Sequence, residues 1–131
     1  MKIFGIGTDI VNIKRIDHSL KKNGLSFINR IFSKKEISYC KNKKNSSAFF
    51  AKRFAAKEAF SKALGTGIRK GVNLKNIEIS NNVLGKPFIL LKGNLSTYLK
   101  KKIKSSNYDI HLSLSDDKPW AQATVIISYS K

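Results

Sequence analysis

The sequence predicts an α+β fold, in which a mainly antiparallel sheet packs against one long central helix in a single domain over residues 1–131. A chain of 131 residues, 41% of them hydrophobic, is long enough to bury a sizeable core in one domain. The hydrophobic period changes from helical in the first half to alternating in the second. The predicted elements are also segregated into a strand, helices, strands, a helix and a hairpin, which is typical of α+β proteins.

The first elements follow from apolar spacing and capping residues. Residues 2–10 predict a strand, and Asn12 is a suitable N-cap for a helix that Asn23-Gly24 should end. A short helix is expected over residues 25–32. Ser33-Lys34-Lys35-Glu36 has the form of a capping box and predicts another helix over residues 34–41.

The longest predicted helix covers residues 47–64, after a polar, basic loop over residues 41–47 that is either solvated surface or a mobile flap. Its apolar residues surround nearly the whole helix axis, which indicates a buried central helix. Gly65 suits the left-handed C-cap position that ends it.

The second half predicts a sheet and one basic helix. The predicted elements are strands over residues 74–79 and 88–91, a turn over 81–87, a helix over 94–104 capped by Asn94, and strands over 110–115 and 120–129 joined by a turn at 116–119.

The formal net charge of +18 favours an acidic partner such as nucleic acid, an anionic membrane or an acidic protein. However, 22 of the 26 cations are lysine and only 4 are arginine. Asn and Ile are also abundant, as expected for an A/T-biased genome, so the charge alone is weak support for binding. A basic nucleic-acid-binding module is the main alternative to an enzyme, and a ribosome-associated structural protein is a third possibility.

Targeting and redox signals favour a cytoplasmic protein. The N-terminal apolar stretch is too short for a secretory signal, and no stretch approaches the roughly 20 apolar residues of a membrane span. The single cysteine, Cys40, excludes an intramolecular disulfide framework and a thiolate metal cluster.

Two of the eight carboxylates stand in unusual contexts. Asp9 follows an apolar strand with two glycines, and Glu58 lies in the middle of the apolar helix, where a charge needs a partner. Lys62, one turn after Glu58, can form an ordinary i,i+4 ion pair with it or bind a ligand anion. The alternative to such an ion pair is a Mg²⁺ site, because Mg²⁺ takes one or two carboxylates and completes its shell with water and phosphate oxygens.

The remaining carboxylates have ordinary explanations. Glu78 is expected to point outward from its strand, and the others lie in cap, turn or surface contexts: Asp17, Glu36, Asp109, Asp116 and Asp117. On spacing alone His111 is a structural histidine, and Gly65-Thr66-Gly67 is a helix cap, because a P-loop would open a helix.

Several segments together resemble the holo-(acyl-carrier-protein) synthases, the small bacterial 4′-phosphopantetheinyl transferase family. The resemblance covers nearly the whole chain. It rests on Gly5-Ile6-Gly7-Thr8-Asp9-Ile10-Val11 with Arg15-Ile16, Phe50 to Ala59 running into Lys62-Ala63-Leu64-Gly65-Thr66-Gly67-Ile68, Asn82-Val83-Leu84-Gly85-Lys86-Pro87, His111-Leu112-Ser113-Leu114-Ser115 and Ala121-Gln122-Ala123-Thr124-Val125.

The resemblance implies Mg²⁺-dependent transfer of 4′-phosphopantetheine from coenzyme A to a serine of apo acyl carrier protein, which supports fatty acid biosynthesis. It implies that Asp9 and Glu58 hold Mg²⁺ and that Lys62 contacts phosphate, with Glu58 and Lys62 as catalytic residues. It further implies coenzyme A contacts at Arg53, Lys62, Gly65, Asn82, Gly85, Pro87 and His111. The base is either a metal-bound water or Glu58 acting through water.

The family also implies a homotrimer with coenzyme A in clefts between neighbours. The lack of a recognised nucleic-acid motif and the few arginines argue against a nucleic-acid partner, and no membrane partner is expected. Its basic first helix receives the acidic carrier protein, which assigns docking to Lys14, Arg15, Lys21 and Lys22. The sequence departs from many members at Asp116, where they have histidine after the strand motif. That departure removes one candidate base.

Overall fold

The computed structural model describes residues 1–66 and 72–131, so the predictions made for Gly67 and Ile68 fall outside the described residues. The strands are β1 (Lys2–Asn12), β2 (Ile77–Asn81), β3 (Pro87–Leu91), β4 (Asn107–Asp117) and β5 (Trp120–Ser130). The helices are α1 (Ile13–Ile31), α2 (Lys34–Lys41), α3 (Ser46–Leu64) and α4 (Leu95–Ile103).

All strand pairs within the described residues are antiparallel, which confirms the predicted fold class. The strands form two sheets, a three-stranded sheet in the order β1-β5-β4 and the separate hairpin β2-β3. Val125, in the middle of β5, pairs with Gly7 on one side and with Leu112 on the other. No strand of the hairpin is paired with the larger sheet in the described part of the chain.

Helix α3 packs against the inner face of the three-stranded sheet. The β5 residues Ala121, Ala123, Val125 and Ile127 are fully buried on that face. A side chain at Gly5 would overlap the carbonyl oxygen of Ala63, and one at Gly7 would overlap that of Ala59. The two glycines therefore let α3 approach the backbone of β1 closely.

The predicted helix ends are well reproduced. The Asn12 side chain caps α1 by accepting a hydrogen bond from Lys14 N, and Ser33 and Glu36 form the expected capping box of α2. Gly24 has non-helical dihedrals (φ 50°, ψ −126°) and interrupts α1 where the sequence predicts a stop. Gly65 ends α3 in the left-handed conformation.

Several predicted boundaries are wrong. Leu74–Asn76 is a 3₁₀ turn, and β2 begins only at Ile77. Strand β4 extends beyond the predicted 110–115 at both ends, because pairing with β5 continues from Asn107 to Asp117. The Asn94 side chain makes no capping hydrogen bond, although it occupies the N-cap position of α4.

Within the described residues, no helix is both long enough and apolar enough to cross a membrane.

Candidate functional site

Asp9, Glu58 and Lys62 meet where the edge strand β1 passes α3. Asp9 shares the inward-facing side of β1 with Gly7 and Val11, because side chains alternate along a strand. Lys62 Nζ lies 3.1 Å from Asp9 Oδ1 and donates to the carbonyl oxygen of Thr8 at 3.0 Å. The ion pair of Lys62 is therefore with Asp9, in place of the i,i+4 pair with Glu58 that the sequence allowed.

The two carboxylates are close enough to influence each other. The pKa of Glu58 is raised, first by burial and then by the negative charge of Asp9, while the Lys62 ammonium opposes the shift. A cation placed between the two carboxylates would favour the charged form of both. No cluster of three or more His, Cys, Asp or Glu side chains occurs in the described part of the chain. Within one chain, the described residues therefore offer a metal here at most two side chains of these four types.

Arg53, Asn82 and Gly85 line a second site, a pocket of about 330 Å³ between α2, α3 and the turn of the β2-β3 hairpin. Arg53 is 2% exposed, and its Nη2 donates to Asn81 Oδ1 at 2.6 Å. Its guanidinium carbon lies 4.3 Å from the centre of the Tyr39 ring. The Arg53 Nε atom is buried without a hydrogen-bond partner. A charged donor is therefore held in a fixed orientation at this pocket.

The hairpin turn beside this pocket is held by its own hydrogen bonds. Asn82 Oδ1 accepts from the backbone nitrogens of Leu84 and Lys86 at 3.0 and 2.9 Å. Gly85 has a φ of 89°, in the region that favours glycine. Pro87, which was also predicted to contact coenzyme A, opens β3 opposite Asn81. The turn presents a preorganised wall to the pocket.

The two sites lie on different sides of α3 in one chain. Arg53 precedes Glu58 by five positions, which places them roughly 140° apart around a helix of 3.6 residues per turn. Arg53 accordingly contacts α2 and β2, whereas Lys62 contacts β1. Of the residues predicted to contact coenzyme A, Lys62 therefore lies with the carboxylates, whereas Arg53 lies with the hairpin turn.

His111 lies apart from both sites. It faces the outer surface of the three-stranded sheet, opposite α3, and its Nε2 is 2.9 Å from Ser128 Oγ. This outer face also carries exposed apolar side chains, with Ile6 63%, Ile10 62% and Trp120 47% exposed. Its hydrogen-bond partner, Ser128, belongs to β5, whereas Arg53 bonds to Asn81 of the hairpin. Gly65, by contrast, lies next to the first site, with its backbone nitrogen bonded to the carbonyl oxygen of Lys62.

All four predicted docking cations on α1 are exposed: Lys14, Arg15, Lys21 and Lys22. One of them already has an acidic partner, because Lys21 Nζ lies 3.0 Å from Asp17 Oδ2. Asp17 also accepts a hydrogen bond from Ser47 Oγ at 2.7 Å, and both bonds lower its pKa. The charge of Lys21 is thus partly balanced within the chain.

Sequence reasoning missed the most deeply buried charges. Glu36 and Lys57 form an ion pair at 2.8 Å, and both side chains are fully buried. Glu78, expected to point outward, is 4% exposed and lies 3.7 Å from Lys92. The signal for Lys57 was available, since it lies on the same apolar helix as Glu58 and equally needs a partner.

The chain belongs to the 4′-phosphopantetheinyl transferase superfamily, whose family model matches residues 5–124. Among curated proteins it is 47% identical to the holo-[acyl-carrier-protein] synthase of Pelagibacter ubique over 127 residues, covering 97% of this chain and 98% of that protein. It is 51% identical to the holo-[acyl-carrier-protein] synthase of Zymomonas mobilis, covering 95% and 96% of the two chains.

Solved structures of the same enzyme superpose closely. The crystal structure of the holo-[acyl-carrier-protein] synthase from Neisseria meningitidis matches with a TM-score of 0.88 and 41% identity, covering 96% of this chain and 98% of that one. The Bacillus anthracis enzyme, solved in complex with CoA (3′,5′-ADP), matches with a TM-score of 0.81 and 37% identity over 99% and 100% of the two chains. The predicted family is confirmed.

Proposed function

We propose that this chain transfers 4′-phosphopantetheine from coenzyme A to a serine of apo acyl carrier protein and releases adenosine 3′,5′-bisphosphate. The reaction forms a bond between the serine oxygen and the β-phosphorus, breaks the bond from that phosphorus to the bridging pyrophosphate oxygen, and releases the serine proton. The observation that carries the proposal is the meeting of Asp9, Glu58 and Lys62 beside β1.

The residues at this site fit a magnesium ion. Two neighbouring carboxylates supply the oxygen ligands that Mg²⁺ prefers, and they leave the rest of its coordination shell to water and phosphate oxygens. When bound, Mg²⁺ would neutralise charge on the pyrophosphate. Asp9 and Glu58 would hold it. The pKa of Glu58 is raised first by burial and then by Asp9, and the cation would relieve the repulsion from Asp9.

Lys62 is the cationic side chain at this site, in addition to any bound metal ion. Its ammonium group lies at the mouth of the site, 54% exposed, and is held by Asp9 and the Thr8 carbonyl oxygen. A phosphoryl oxygen that approaches this group is stabilised as negative charge develops during transfer. Lys62 would therefore orient the pyrophosphate and stabilise the transition state.

The Arg53 pocket is suited to the nucleotide end of coenzyme A. A buried guanidinium, the Tyr39 ring and the amides of Asn81 and Asn82 offer charge, stacking and hydrogen bonds to a phosphorylated nucleoside. Lys35, which the sequence analysis did not select, lines the same pocket and adds a second cation. Coenzyme A is also the ligand of the Bacillus anthracis relative.

A homotrimer would bring the separated groups together. Because Arg53 and Glu58 lie on different sides of α3, a complete site would take Asp9, Glu58 and Lys62 from one protomer and Arg53 from its neighbour. The outer sheet face, with Ile6, Ile10 and Trp120 exposed, is an apolar surface of the kind that marks a protein interface. His111 on that face would then approach the coenzyme A of a neighbour.

The acidic carrier protein would dock on the exposed cations of α1, chiefly Arg15 and Lys22, because Lys21 is already paired with Asp17. Arg15 offers a planar, bidentate donor for carboxylates. The cytoplasmic location stays a prediction from the sequence.

A transfer assay tests the proposal. The protein is incubated with coenzyme A and apo acyl carrier protein, with and without Mg²⁺, and the carrier protein is analysed by intact mass spectrometry. The expected result is a Mg²⁺-dependent mass increase of one phosphopantetheinyl group on the serine. If the mass stayed unchanged under all conditions while a known transferase modified the same carrier protein, the proposal would be wrong.

A further inference from the structure

Lys57 connects α3 to the β2-β3 hairpin, whose turn lines the Arg53 pocket. It is fully buried, and its Nζ donates to Glu36 Oε1 at 2.8 Å, to the carbonyl oxygen of Leu74 at 2.9 Å and to that of Ile77. These three acceptors use all the donor capacity of a lysine ammonium. Two of them belong to the backbone just before and at the start of β2.

Glu36 completes the same network from α2. Its Oε1 accepts from Ser33 N at 2.9 Å in the capping box, and its Oε2 accepts from Ile79 N at 3.0 Å. The pair therefore binds β2 through both backbone donors and acceptors. Burial lowers the pKa of Lys57, and the negative charge of Glu36 opposes that effect.

Along α3, Lys57 lies between Arg53 of one site and Glu58 of the other. It directly precedes Glu58, and it lies one turn after Arg53 on the side of α3 that faces the hairpin. In the described residues the hairpin has no strand pairing with the larger sheet. Among the described residues, the hairpin is attached to α3 by the bond from Lys57 to the Ile77 carbonyl oxygen and by the hydrogen bond from Arg53 to Asn81.

We infer that Lys57 and Glu36 are positioning residues, which fix the β2-β3 hairpin on α3 so that the pocket turn at Asn82 and the Arg53 guanidinium keep the spacing needed to bind the nucleotide end of coenzyme A. The inference rests on the proposed function. Neither side chain touches the substrate, because both are fully buried.

An alternative explanation is that the pair only balances charge in the core. A buried ion pair can often be replaced by apolar residues without loss of stability, whereas removal of one partner leaves an uncompensated charge. Stability alone therefore does not distinguish the two explanations, and ligand affinity of the folded protein is needed.

The test compares Lys57→Met, the double variant Glu36→Leu/Lys57→Met, and the control Lys52→Met. Lys52 lies on the same helix and is partly buried, but its partner is Asp116 of β4, at 3.1 Å. Affinity for adenosine 3′,5′-bisphosphate is measured by titration calorimetry on folded protein, and KM is measured separately for coenzyme A and for carrier protein.

Positioning predicts that both Lys57 variants bind the bisphosphate about tenfold or more weakly and raise KM for coenzyme A similarly, with KM for carrier protein nearly unchanged. Lys52→Met should bind like wild type. If Lys57→Met does not fold, the double variant decides alone, since it leaves no unpaired charge. Wild-type affinity in the double variant would overturn the inference. Failure of the wild-type protein to transfer phosphopantetheine would instead count against the proposed function.

Discussion

The charge of Glu58 is unfavourable in the folded chain. Its pKa is raised because the carboxylate is partly buried and because Asp9 lies nearby, and Lys62 offsets only part of this effect. A group whose folded pKa is raised takes up a proton more readily when folded, so its ionisation reduces stability as pH rises from 4.5 through the folded pKa. The ionised Glu58 side chain thus lowers the stability of the folded chain, and a bound cation would offset that effect.

We therefore expect Glu58→Gln to be more stable than wild type at neutral pH in metal-free buffer. The amide removes the ionisation that burial and Asp9 disfavour, and the advantage should vanish below the ordinary pKa of 4.5, where the wild-type carboxyl is also neutral. Urea unfolding at several pH values measures the difference. A variant that is less stable than wild type at neutral pH would contradict this electrostatic description.

Substitution of either carboxylate at this site should cause a large loss of activity. Asp9→Asn or Glu58→Gln should reduce kcat roughly a hundredfold or more, as expected when one stabilising contact to a transferring group is removed. Near-normal turnover of either site variant at limiting Mg²⁺ would show that the metal assignment is wrong.

Single residues were predictable where the sequence shows a conflict between charge and an apolar context. Asp9 and Glu58 were selected in that way, and the structure brings them together. Lys57 shows the same conflict but was passed over, because its partner, Glu36, is 21 positions away. Glu78 was misjudged since alternation along a strand fixes which side a residue faces but not what covers that side.

Helices and strands were predictable where local signals act alone. The capping box at Ser33, the Asn12 cap and the stop at Gly24 all depend on neighbouring residues, and all are present. The extent of β4 depends on pairing with β5, and the division into two sheets depends on long-range contacts. The angle between Arg53 and Glu58 around α3 could be predicted from helical geometry. Which elements cover each side of α3 could not, because that depends on long-range contacts.

The exposed basic residues of α1 lead to a prediction about carrier-protein docking. Reversal of Arg15 and Lys22 to Glu should raise KM for carrier protein, leave KM for coenzyme A nearly unchanged and flatten the salt dependence of the reaction. Charge steering acts mainly on the encounter rate and is screened over about 8 Å at physiological ionic strength. Steady-state kinetics over a range of salt concentrations measure all three effects.

The control for this experiment is the reversal of Lys100 and Lys101 on α4, which are also exposed. It introduces the same change in net charge at a different surface. Equal effects of the two double reversals would mean that overall charge, and not docking on α1, governs the reaction.

We expect the protein to form a homotrimer that buries the outer sheet face. Ile6→Lys/Ile10→Lys should dissociate it, because the two substitutions place charge on an apolar face. Sedimentation velocity at micromolar concentration measures the assembly, and activity should fall with dissociation. A wild-type monomer with full activity would contradict the trimer.

A site shared between protomers is tested by activity in mixed assemblies of Asp9→Asn and Arg53→Gln chains, each inactive alone. If a site takes Asp9 from one protomer and Arg53 from its neighbour, random mixing by unfolding and refolding restores roughly a quarter of the sites. Mixing Asp9→Asn with Glu58→Gln, which alter the same half of the site, should restore nothing. We predict recovery only in the first mixture, and the absence of recovery there, with mixed assemblies verified by mass spectrometry, would contradict a site shared between protomers.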